Sequence, residues 1–182
     1  MLKATPTDLP EVLIFEYERH DEIRGCSYST FSRRALNEVG VDTDFVEENV
    51  YCPKKAGTLY GIHFQNNPKA QTKLLYCAKG SGLDFAIDLR KGSKTFKRWV
   101  CVELSSDNRR QIYIPKGFGH AFLSLEDDTS VVMKIDQYFH PEYRRAIAWN
   151  DPDLNTPFPI DQPILAWHDM KAPFLKDSDC NL

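Results

Sequence analysis

The sequence lacks the cysteine patterns that hold small disulfide-rich or zinc-binding folds together. Its cysteines are odd in number and widely spaced, and no two of them form a CxxC pair. This spacing argues against both a disulfide framework and a zinc knuckle. We therefore expect reduced and mostly buried thiols, as in a cytoplasmic protein. The residues concerned are Cys26, Cys52, Cys77, Cys101 and Cys180.

No long apolar run is present either. A membrane-spanning helix needs roughly 20 predominantly apolar residues, and no stretch approaches that length. The N-terminal segment MLKATPTDLPEVLIFEYERHDE carries prolines and acids where a signal peptide would need an unbroken apolar run. The sequence therefore predicts a cytoplasmic protein without a membrane segment.

Charge of one sign is not concentrated anywhere along the chain. The 26 acidic and 23 basic residues give a formal charge of −3 without a long single-sign run, so a nucleic-acid partner is not expected. The sequence also lacks a GxGxxG segment after a strand, a P-loop and a GxSxG elbow. We therefore expect no cofactor, and an anionic ligand would have to be bound by local Arg and Lys.

What the sequence does contain is a strand with two different faces. The segment Gly57–Lys73 has the sequence GTLYGIHFQNNPKAQTK. In its first half, one set of residues alternates with another: Thr58, Tyr60, Ile62 and Phe64 with Leu59, Gly61, His63 and Gln65. Period-2 alternation of this kind is typical of a strand, and it places His63 and Gln65 on the same face. If that face lines the mouth of a barrel, the strand carries a functional site.

Short β-rich segments at roughly even spacing fill most of the remaining chain. Many short strands with few helical patterns indicate an all-β fold, a sandwich or a barrel such as a jelly roll. A turn is expected at His20–Gly25 and a hairpin turn at Asp127-Asp128. The other predicted strands are Val12–Tyr17, Ser27–Phe31, Phe45–Tyr51, Lys73–Lys79, Gly82–Leu89, Arg98–Leu104, Arg110–Ile114, Ala121–Leu125 and Thr129–Tyr138.

The helical signals are few, and the C-terminal segment is irregular. Arg33–Val39 is predicted to form a short helix that ends at Gly40, where a glycine cap is expected. Residues 150–182 are rich in Pro and Asp, yet they and Trp149 bring in large aromatic side chains that we expect to pack over the barrel. The chain is therefore predicted to form a single domain over residues 1–182. The aromatic residues are Trp149, Phe158, Trp167 and Phe174.

Two histidine-bearing segments, GTLYGIHFQ and IPKGFGHAF, indicate a cupin-type barrel, because each would place one His on an inward-facing strand. Metal-dependent cupins need three His and usually a carboxylate, but these segments supply only His63 and His120. Two imidazoles without a nearby carboxylate make a poor divalent site. We therefore predict a cupin without a metal.

The sequence resembles the dTDP-4-dehydrorhamnose 3,5-epimerases, which are metal-free cupins of about this length. Seven motifs in order carry the resemblance over nearly the whole chain. Members of this family invert carbons that flank the 4-keto group of a nucleotide-linked 6-deoxy-4-ketohexose. The motifs are IRG at Ile23–Gly25, GIHFQ at Gly61–Gln65, QTKLL at Gln71–Leu75, IDLRKGSKTF at Ile87–Phe96, IPKGFGHAF at Ile114–Phe122, WNDPDL at Trp149–Leu154 and ILAWHDMKAP at Ile164–Pro173.

The resemblance implies three catalytic residues. Protons beside a ketone are acidic only because the carbanion delocalises into an enolate, so the reaction needs a base, an enolate stabiliser and a proton donor. His63 matches the family's base, and Asp169 matches the carboxylate that orients it. Lys73 matches the lysine beside the keto oxygen. For His63 the alternative is a core histidine with no catalytic task.

The resemblance also implies residues that bind the substrate. Arg24 and Asn49 fall where the family contacts the diphosphate and the sugar or base, and an Arg fork suits phosphate. His120 matches a second pocket histidine, although a packed strand residue is an equally good interpretation. Gln65 is a further candidate, and Tyr138 is included as one of four aromatic residues that serve more often as core than as a stacking platform. The other three are Phe118, Phe122 and Phe139.

Three positions depart from the family pattern. The family's catalytic tyrosine normally precedes a lysine, and here that pair is Met133-Lys134, so a thioether that cannot donate a proton replaces it. Tyr60 stands where the family usually has Arg, and Glu47 where it usually has Gln. A regular strand would turn Tyr60 away from His63, and only a bulge near Gly61 would let it replace the lost tyrosine.

These departures leave three interpretations of the function. The favoured one is an epimerase that inverts one or both carbons, with His63 as the base. The alternatives are an isomerase of another nucleotide-linked ketosugar and a binding protein that has lost its chemistry. The resemblance also implies a homodimer in which the N-terminal stretch with Arg24 reaches into the neighbouring site.

Overall fold

The computed structural model describes residues 1–182 and consists mainly of strands. The helices are α1 (Arg33–Glu38) and α2 (Trp167–Met170), followed by a 3-10 turn at Leu175–Asp177. None of the helices has the length and apolar character needed to cross a membrane. The strands are β1 (Leu2–Pro6), β2 (Leu13–Tyr17), β3 (Arg19–Glu22), β4 (Gly25–Tyr28), β5 (Glu47–Tyr51), β6 (Leu59–Gln65), β7 (Lys73–Lys79), β8 (Ser81–Asp88), β9 (Trp99–Ser105), β10 (Gln111–Ile114), β11 (Phe118–Ser124), β12 (Ser130–Ile135) and β13 (Arg144–Ala146).

The strands form two antiparallel sheets and a separate hairpin. The six-stranded sheet has the order β1-β2-β10-β7-β12-β5, the five-stranded sheet has the order β13-β6-β11-β8-β9, and β3 pairs with β4. From β6 to β12 the chain passes from one sheet to the other at nearly every connection, which is the jelly-roll arrangement. The predicted all-β jelly roll is therefore confirmed.

Apolar side chains form three layers. Leu75, Phe122 and Met133 belong to the cluster between the two sheets. The outer face of the five-stranded sheet is covered by the C-terminal segment, which contributes Phe158. The outer face of the six-stranded sheet is covered by α1 through Leu36. Each sheet thus has both faces largely covered, and the interior of the barrel lies between them.

The helix and the C-terminal segment match their predictions in part. The Ser32 side chain caps α1 by accepting a hydrogen bond from the Ala35 amide, and Gly40 follows with a φ of +84°. Trp149 and Phe158 pack on the barrel as expected. Trp167 was expected to be covered, but 70% of it is exposed and its ring lies under the Lys171 ammonium. Phe174 is also partly exposed.

Several predicted boundaries were wrong. The segment predicted as a turn at His20–Gly25 is instead the hairpin of β3 and β4, with Ile23 and Arg24 at its tip, and the following strand ends at Tyr28. The Asp127-Asp128 turn does not close a hairpin, because it links β11 and β12, which belong to different sheets. The short strands β1 and β13 were not predicted. Three of the five cysteines are exposed, so the expectation of mostly buried thiols was also wrong.

A bulge in β6 determines which residues face the barrel interior. The register pairs His63 with His120 and Tyr60 with Phe122, so β6 takes three steps where β11 takes two. Gly61 lies within this bulge with a φ of +113°, and a Cβ there would come 2.4 Å from the His120 carbonyl oxygen. Only glycine fits, since both the φ and the close approach exclude a side chain.

We predict that Gly61→Ala destabilises the protein by about 3 kcal/mol or more, because the positive φ and the collision with the β11 backbone act together. Gly40→Ala is the matched control: Gly40 also has a positive φ, but open space surrounds its Cβ position. It should cost only about 1 kcal/mol. Urea unfolding of both variants measures the difference. Equal losses would show that the close approach at Gly61 is unimportant.

Candidate active site

A cavity of about 580 Å³ opens between the two sheets. The six-stranded sheet contributes residues from β5, β7 and β12 to its lining, and the five-stranded sheet contributes residues from β6, β11 and β13. The segment 164–169, which includes most of α2, completes the wall. A cavity of this size is in the range typical of small-molecule sites.

His63 and Asp169 meet at one side of this cavity. The His63 Nε2 lies 2.6 Å from the Asp169 Oδ1, and the Asp169 side chain is almost fully buried. His63 comes from β6 and Asp169 from α2, so residues 106 positions apart are joined. In this orientation the Nδ1 of His63 remains for a ligand. A buried carboxylate on one nitrogen fixes the tautomer and supports a charge on the ring.

Burial lowers the pKa of His63, and this outweighs the opposite effect of the Asp169 carboxylate. Arg144 and His120 act in the same direction as burial. A lowered pKa keeps the imidazole neutral at neutral pH, and only the neutral imidazole can accept a proton. The electrostatics of the cavity therefore suit His63 as a base.

Lys73 brings a buried ammonium to the same cavity from β7. It is only 4% exposed, and its Nζ makes no hydrogen bond or ion pair with the rest of the chain. Burial lowers the pKa of Lys73 to about 8, against the favourable fields of Asp84 and Asp136. An unpartnered buried cation is costly, so it is characteristic of a site that receives negative charge from a ligand.

His120 is held by a carboxylate that the sequence analysis missed. Its Nε2 lies 3.0 Å from the Asp84 Oδ2, while the second oxygen of Asp84 has no hydrogen-bond partner. Burial raises the pKa of Asp84, and His120 and Lys73 act against that rise. The strand GLDFAID carries two Asp residues among apolar ones, and Asp84, which lies within the strand and not at its end, was the available signal. Nothing in the sequence indicated that it would lie beside His120.

Residues at three of the remaining candidate positions lie on β5 and β6. Glu47 and Asn49 line the cavity, and the Asn49 amide donates a hydrogen bond of 2.8 Å to the Glu47 carboxylate. The bulge at Gly61 turns Tyr60 into the cavity, which a regular strand would not do. The bulge that Tyr60 needs in order to reach the cavity is therefore present.

Tyr51, which is not among the residues predicted from the sequence, follows Glu47 and Asn49 on the same face of β5. It lines the cavity, and its ring meets the Tyr60 ring edge-on with centroids 5.6 Å apart. The signal was present in the sequence, because positions 47, 49 and 51 share a face in any regular strand. Met133 lies on the neighbouring strand and also lines the cavity, with 8% exposed.

Other predicted residues lie elsewhere or have structural tasks. The Gln65 side chain donates to the carbonyls of Lys69 and Tyr138 and accepts from the His140 amide, so its polar atoms are all engaged. The Tyr138 side chain does not line the cavity, and its neighbour Phe139 does so instead. Tyr138 is exposed beside the cavity-lining Phe139, and its role as a substrate contact stays a prediction. Phe118 and Phe122 are buried, as expected for core residues.

Two arginines differ in their relation to the cavity. Arg24 lies on the exposed β3–β4 hairpin, paired with Glu22, and does not line the cavity of its own chain. Arg144, which the sequence analysis did not identify, lines the cavity from β13. Its guanidinium makes no ion pair or side-chain hydrogen bond. This half-buried cation is therefore available for an anionic ligand.

His63, His168 and Asp169 are close enough to share a cation, since their ligand atoms lie within 4.8 Å of one another. Asp169 Oδ1 is 3.2 Å from the His168 Nε2 as well as bonded to His63. The same contacts are explained by hydrogen bonding alone. The metal-free site stays a prediction, which metal analysis of the purified protein tests.

A jelly-roll barrel with a His–Asp pair and a buried lysine in its interior defines a cupin-like protein suited to proton transfer. Comparison with known proteins identifies the group more closely. The family model for dTDP-4-dehydrorhamnose 3,5-epimerase matches residues 6–177. The chain belongs to the dTDP-4-dehydrorhamnose 3,5-epimerase family.

Individual relatives agree with this assignment. The dTDP-4-dehydrorhamnose 3,5-epimerase of Shigella flexneri is 37% identical, with 98% of each chain covered. The dTDP-6-deoxy-D-glucose-3,5-epimerase of Legionella pneumophila, solved with dTDP-4-keto-L-rhamnose, has a TM-score of 0.93 at 34% identity and covers 98% of this chain and 95% of its own. A dTDP-4-dehydro-6-deoxyglucose 3-epimerase of a Streptomyces species is 35% identical, with 88% of this chain and 82% of the relative covered.

We predict that the pKa of His63, followed by NMR of the imidazole, lies below its usual value of about 6.5. In Asp169→Asn it should fall further, by about one unit, because the carboxylate that favours the imidazolium is removed. Asp161→Asn, a change at an exposed carboxylate outside the cavity, serves as the control and should leave the pKa unchanged. An unaltered His63 pKa in Asp169→Asn would mean that the two side chains are not coupled in solution.

Proposed function

We propose that the protein epimerises one or both carbons next to the 4-keto group of a dTDP-linked 4-keto-6-deoxyhexose, through an enolate. The observation that carries the proposal is the convergence of the His63–Asp169 pair and the unpartnered Lys73 on one cavity. Membership of a family of such epimerases supports the substrate class. The reaction would serve the biosynthesis of a deoxysugar.

In the proposed reaction His63 removes a proton from the carbon beside the ketone. The electron pair of the broken C–H bond moves to the keto oxygen, where the fixed charge of Lys73 stabilises the enolate. The Asp169 carboxylate stabilises the imidazolium that forms. Lys73 stays protonated below about pH 8, so it can perform this task at neutral pH. No cofactor is needed for these steps.

The rest of the cavity offers contacts for the nucleotide. Arg144 supplies a positive charge for the diphosphate, and an arginine fork can donate two parallel hydrogen bonds to phosphate oxygens. Phe139 presents a half-exposed ring on which a thymine could stack. Asn49, Glu47 and Tyr60 are proposed sugar or base contacts, and His120 is proposed as an orienting group. Gln65 supports the loop that carries Phe139.

The alternatives from the sequence are an isomerase of a different nucleotide-linked ketosugar and a binding protein without chemistry. The structure favours an enzyme, because a pure binder has no need of a base, its orienting acid and a buried cation in one cavity. Whether one or both carbons are inverted is a separate question. The relatives include both 3,5-epimerases and a 3-epimerase.

We predict that the enzyme exchanges deuterium into C3, C5 or both carbons of a dTDP-linked 4-keto-6-deoxyhexose in deuterated water, as followed by NMR. His63→Asn should slow this exchange by about 100-fold or more, because no other neutral base is oriented in the same way. His140→Asn replaces a histidine outside the cavity and should exchange at the wild-type rate. Absence of exchange in the wild-type protein would instead favour the hypothesis that it binds a nucleotide sugar without chemistry.

We further propose a homodimer in which Arg24 enters the cavity of the partner. The β3–β4 hairpin is exposed along both strands, and Ile23 at its tip is fully exposed. A two-stranded hairpin is marginal on its own, so a second chain would account for its order. Val50 on the edge strand β5 and Val46 just before that strand add further exposed apolar surface. The paired Glu22 would have to release Arg24 to the diphosphate.

We predict that Arg24→Ala and His63→Asn complement each other when the two variants are co-expressed. Each is expected to have little activity by itself, but a mixed dimer has one cavity with both His63 and a partner's Arg24 intact. Statistical mixing then restores about a quarter of the wild-type activity. A mixture no more active than the separate variants, or a monomer by light scattering, would contradict the role of Arg24 in the partner's cavity.

Two further proposals concern the chain as a whole. Residues 1–182 are proposed to form one domain, because the C-terminal segment packs into the core of the five-stranded sheet. The protein is proposed to act in the cytoplasm, because all of its cysteines are unpaired and three of them are exposed.

A further inference from the structure

Inversion of a carbon requires that a proton leave from one face of the sugar ring and return to the other. His63 comes from the five-stranded sheet, on β6. A group that returns the proton must therefore face His63 across the cavity, and the wall opposite belongs to the six-stranded sheet. The proton donor is thus sought among the residues that β5, β7 and β12 turn inward.

Very few of these residues can give up a proton. The inward residues of β12 are Val131, Met133 and Ile135, which are apolar. On β7, Leu75 is apolar and Lys73 is assigned to the enolate oxygen. The β5 residues Glu47 and Asn49 are bonded to each other, which leaves the Tyr51 hydroxyl. Tyr51 is the only hydroxyl that this sheet presents to His63.

We propose that Tyr51 is the proton donor of the epimerisation, delivering the proton to the enolate carbon on the face opposite His63. In this step the Tyr51 O–H bond breaks and a C–H bond forms, while the electron pair of the enolate becomes that bond and the ketone is restored. Tyr51 is left as a phenolate and His63 as an imidazolium. Exchange with solvent returns both to their starting states. This inference rests on the proposed function.

The position of Tyr51 on the sheet suits this task. In the antiparallel ladder Tyr51 lies opposite Val131, and Asn49 lies opposite Met133, so Tyr51 and Met133 are diagonal neighbours on the same face. Diagonal positions are about 7–8 Å apart, within reach of an aromatic side chain. The Tyr51 ring can therefore bring its hydroxyl to the space above the Met133 thioether.

The Tyr51 hydroxyl is also uncommitted. It makes no hydrogen bond to any other group of the chain, unlike Tyr17 and Tyr113, whose hydroxyls are both engaged. Burial raises the pKa of Tyr51, and the Glu47 charge adds to the effect, so the phenol is protonated at neutral pH. Arg144 acts in the opposite direction and can stabilise the phenolate that remains after the transfer.

Tyr60 is the other tyrosine in the cavity, but it is less well placed. It extends from β6, the strand that also carries His63, so it starts on the same wall as the base. Burial raises the pKa of Tyr60, and Cys52, which lies outside the cavity lining, adds to the rise. Its ring packs edge-on against Tyr51. We therefore assign Tyr60 to positioning the Tyr51 ring, in place of the acid role considered from the sequence.

The test separates proton removal from proton return. In deuterated water Tyr51→Phe should still exchange the substrate proton at near the wild-type rate, because His63 can return a solvent deuteron to the face from which it took the proton. Formation of the inverted sugar should fall by about 100-fold or more. Tyr51→Phe/Met133→Tyr should regain inversion, since position 133 can present a hydroxyl to the same space.

Two further variants complete the comparison. Tyr60→Phe should lower inversion by less than Tyr51→Phe does and leave exchange near the wild-type rate, as expected for a residue that acts by positioning Tyr51. Tyr76→Phe, outside the cavity lining, should match the wild type in both. A thermal melt of each variant identifies any loss that comes from unfolding.

The proposal is overturned if Tyr51→Phe inverts at the wild-type rate, if Tyr60→Phe loses more inversion than Tyr51→Phe does, or if a folded Tyr51→Phe protein loses exchange and inversion equally. Each of these outcomes leaves wild-type exchange intact and so spares the proposed function. Absence of exchange in the wild-type protein would overturn the proposed function as well as this inference.

Discussion

The arrangement of the cavity depends on a close approach of two backbones at Gly61. A Cβ at this position would collide with the His120 carbonyl oxygen, so β6 can lie against β11 only because position 61 has no side chain. The resulting bulge gives β6 one extra residue between Tyr60 and His63, so the alternation of side chains between the two faces of the strand shifts by one position. Both side chains then face the interior, and His63 remains opposite His120 across the ladder.

A second constraint is electrostatic. The barrel interior contains His63, Lys73, Asp84, His120 and Asp169, which are partly or almost entirely buried. The two histidines have carboxylate partners, whereas Lys73 has none. Buried charge of this kind costs stability, which is acceptable when the same desolvation strengthens interactions with a ligand's developing charge. The lowered pKa of Lys73 records that cost.

The two walls of the cavity have different chemical character. The five-stranded sheet carries the His63 base and, through α2 beside it, the Asp169 carboxylate. The six-stranded sheet is apolar along β12, carries the Lys73 ammonium on β7 and places the other polar groups of its strands on β5, at the sheet edge. A substrate between the walls would meet a base on one side, and on the other side a wall whose only hydroxyl is that of Tyr51. Such an arrangement favours a single well-placed donor over proton return from bulk water.

The sequence by itself determined the features that depend on local chain properties. The alternation of residues and the turn chemistry identified most strands, and Gly40 correctly ended α1. Motifs that resemble a known family identified His63, Lys73 and Asp169 as candidates. Such motifs mark residues that the common fold brings together, although they are far apart in the sequence. Many short β-rich segments at roughly even spacing were sufficient to predict an all-β chain.

The tertiary structure alone decided the features that depend on register and distance. Tyr60 points into the cavity because of the bulge at Gly61, and the period-2 alternation of the sequence predicts a regular strand without that bulge. The contacts of Asp84 with His120, and the place of Arg144 in the cavity, join strands far apart in the sequence. Trp167 is exposed because a short helix turns it away from the core, whatever its hydrophobicity. Strand pairing is a long-range property, and it sets which polar groups meet.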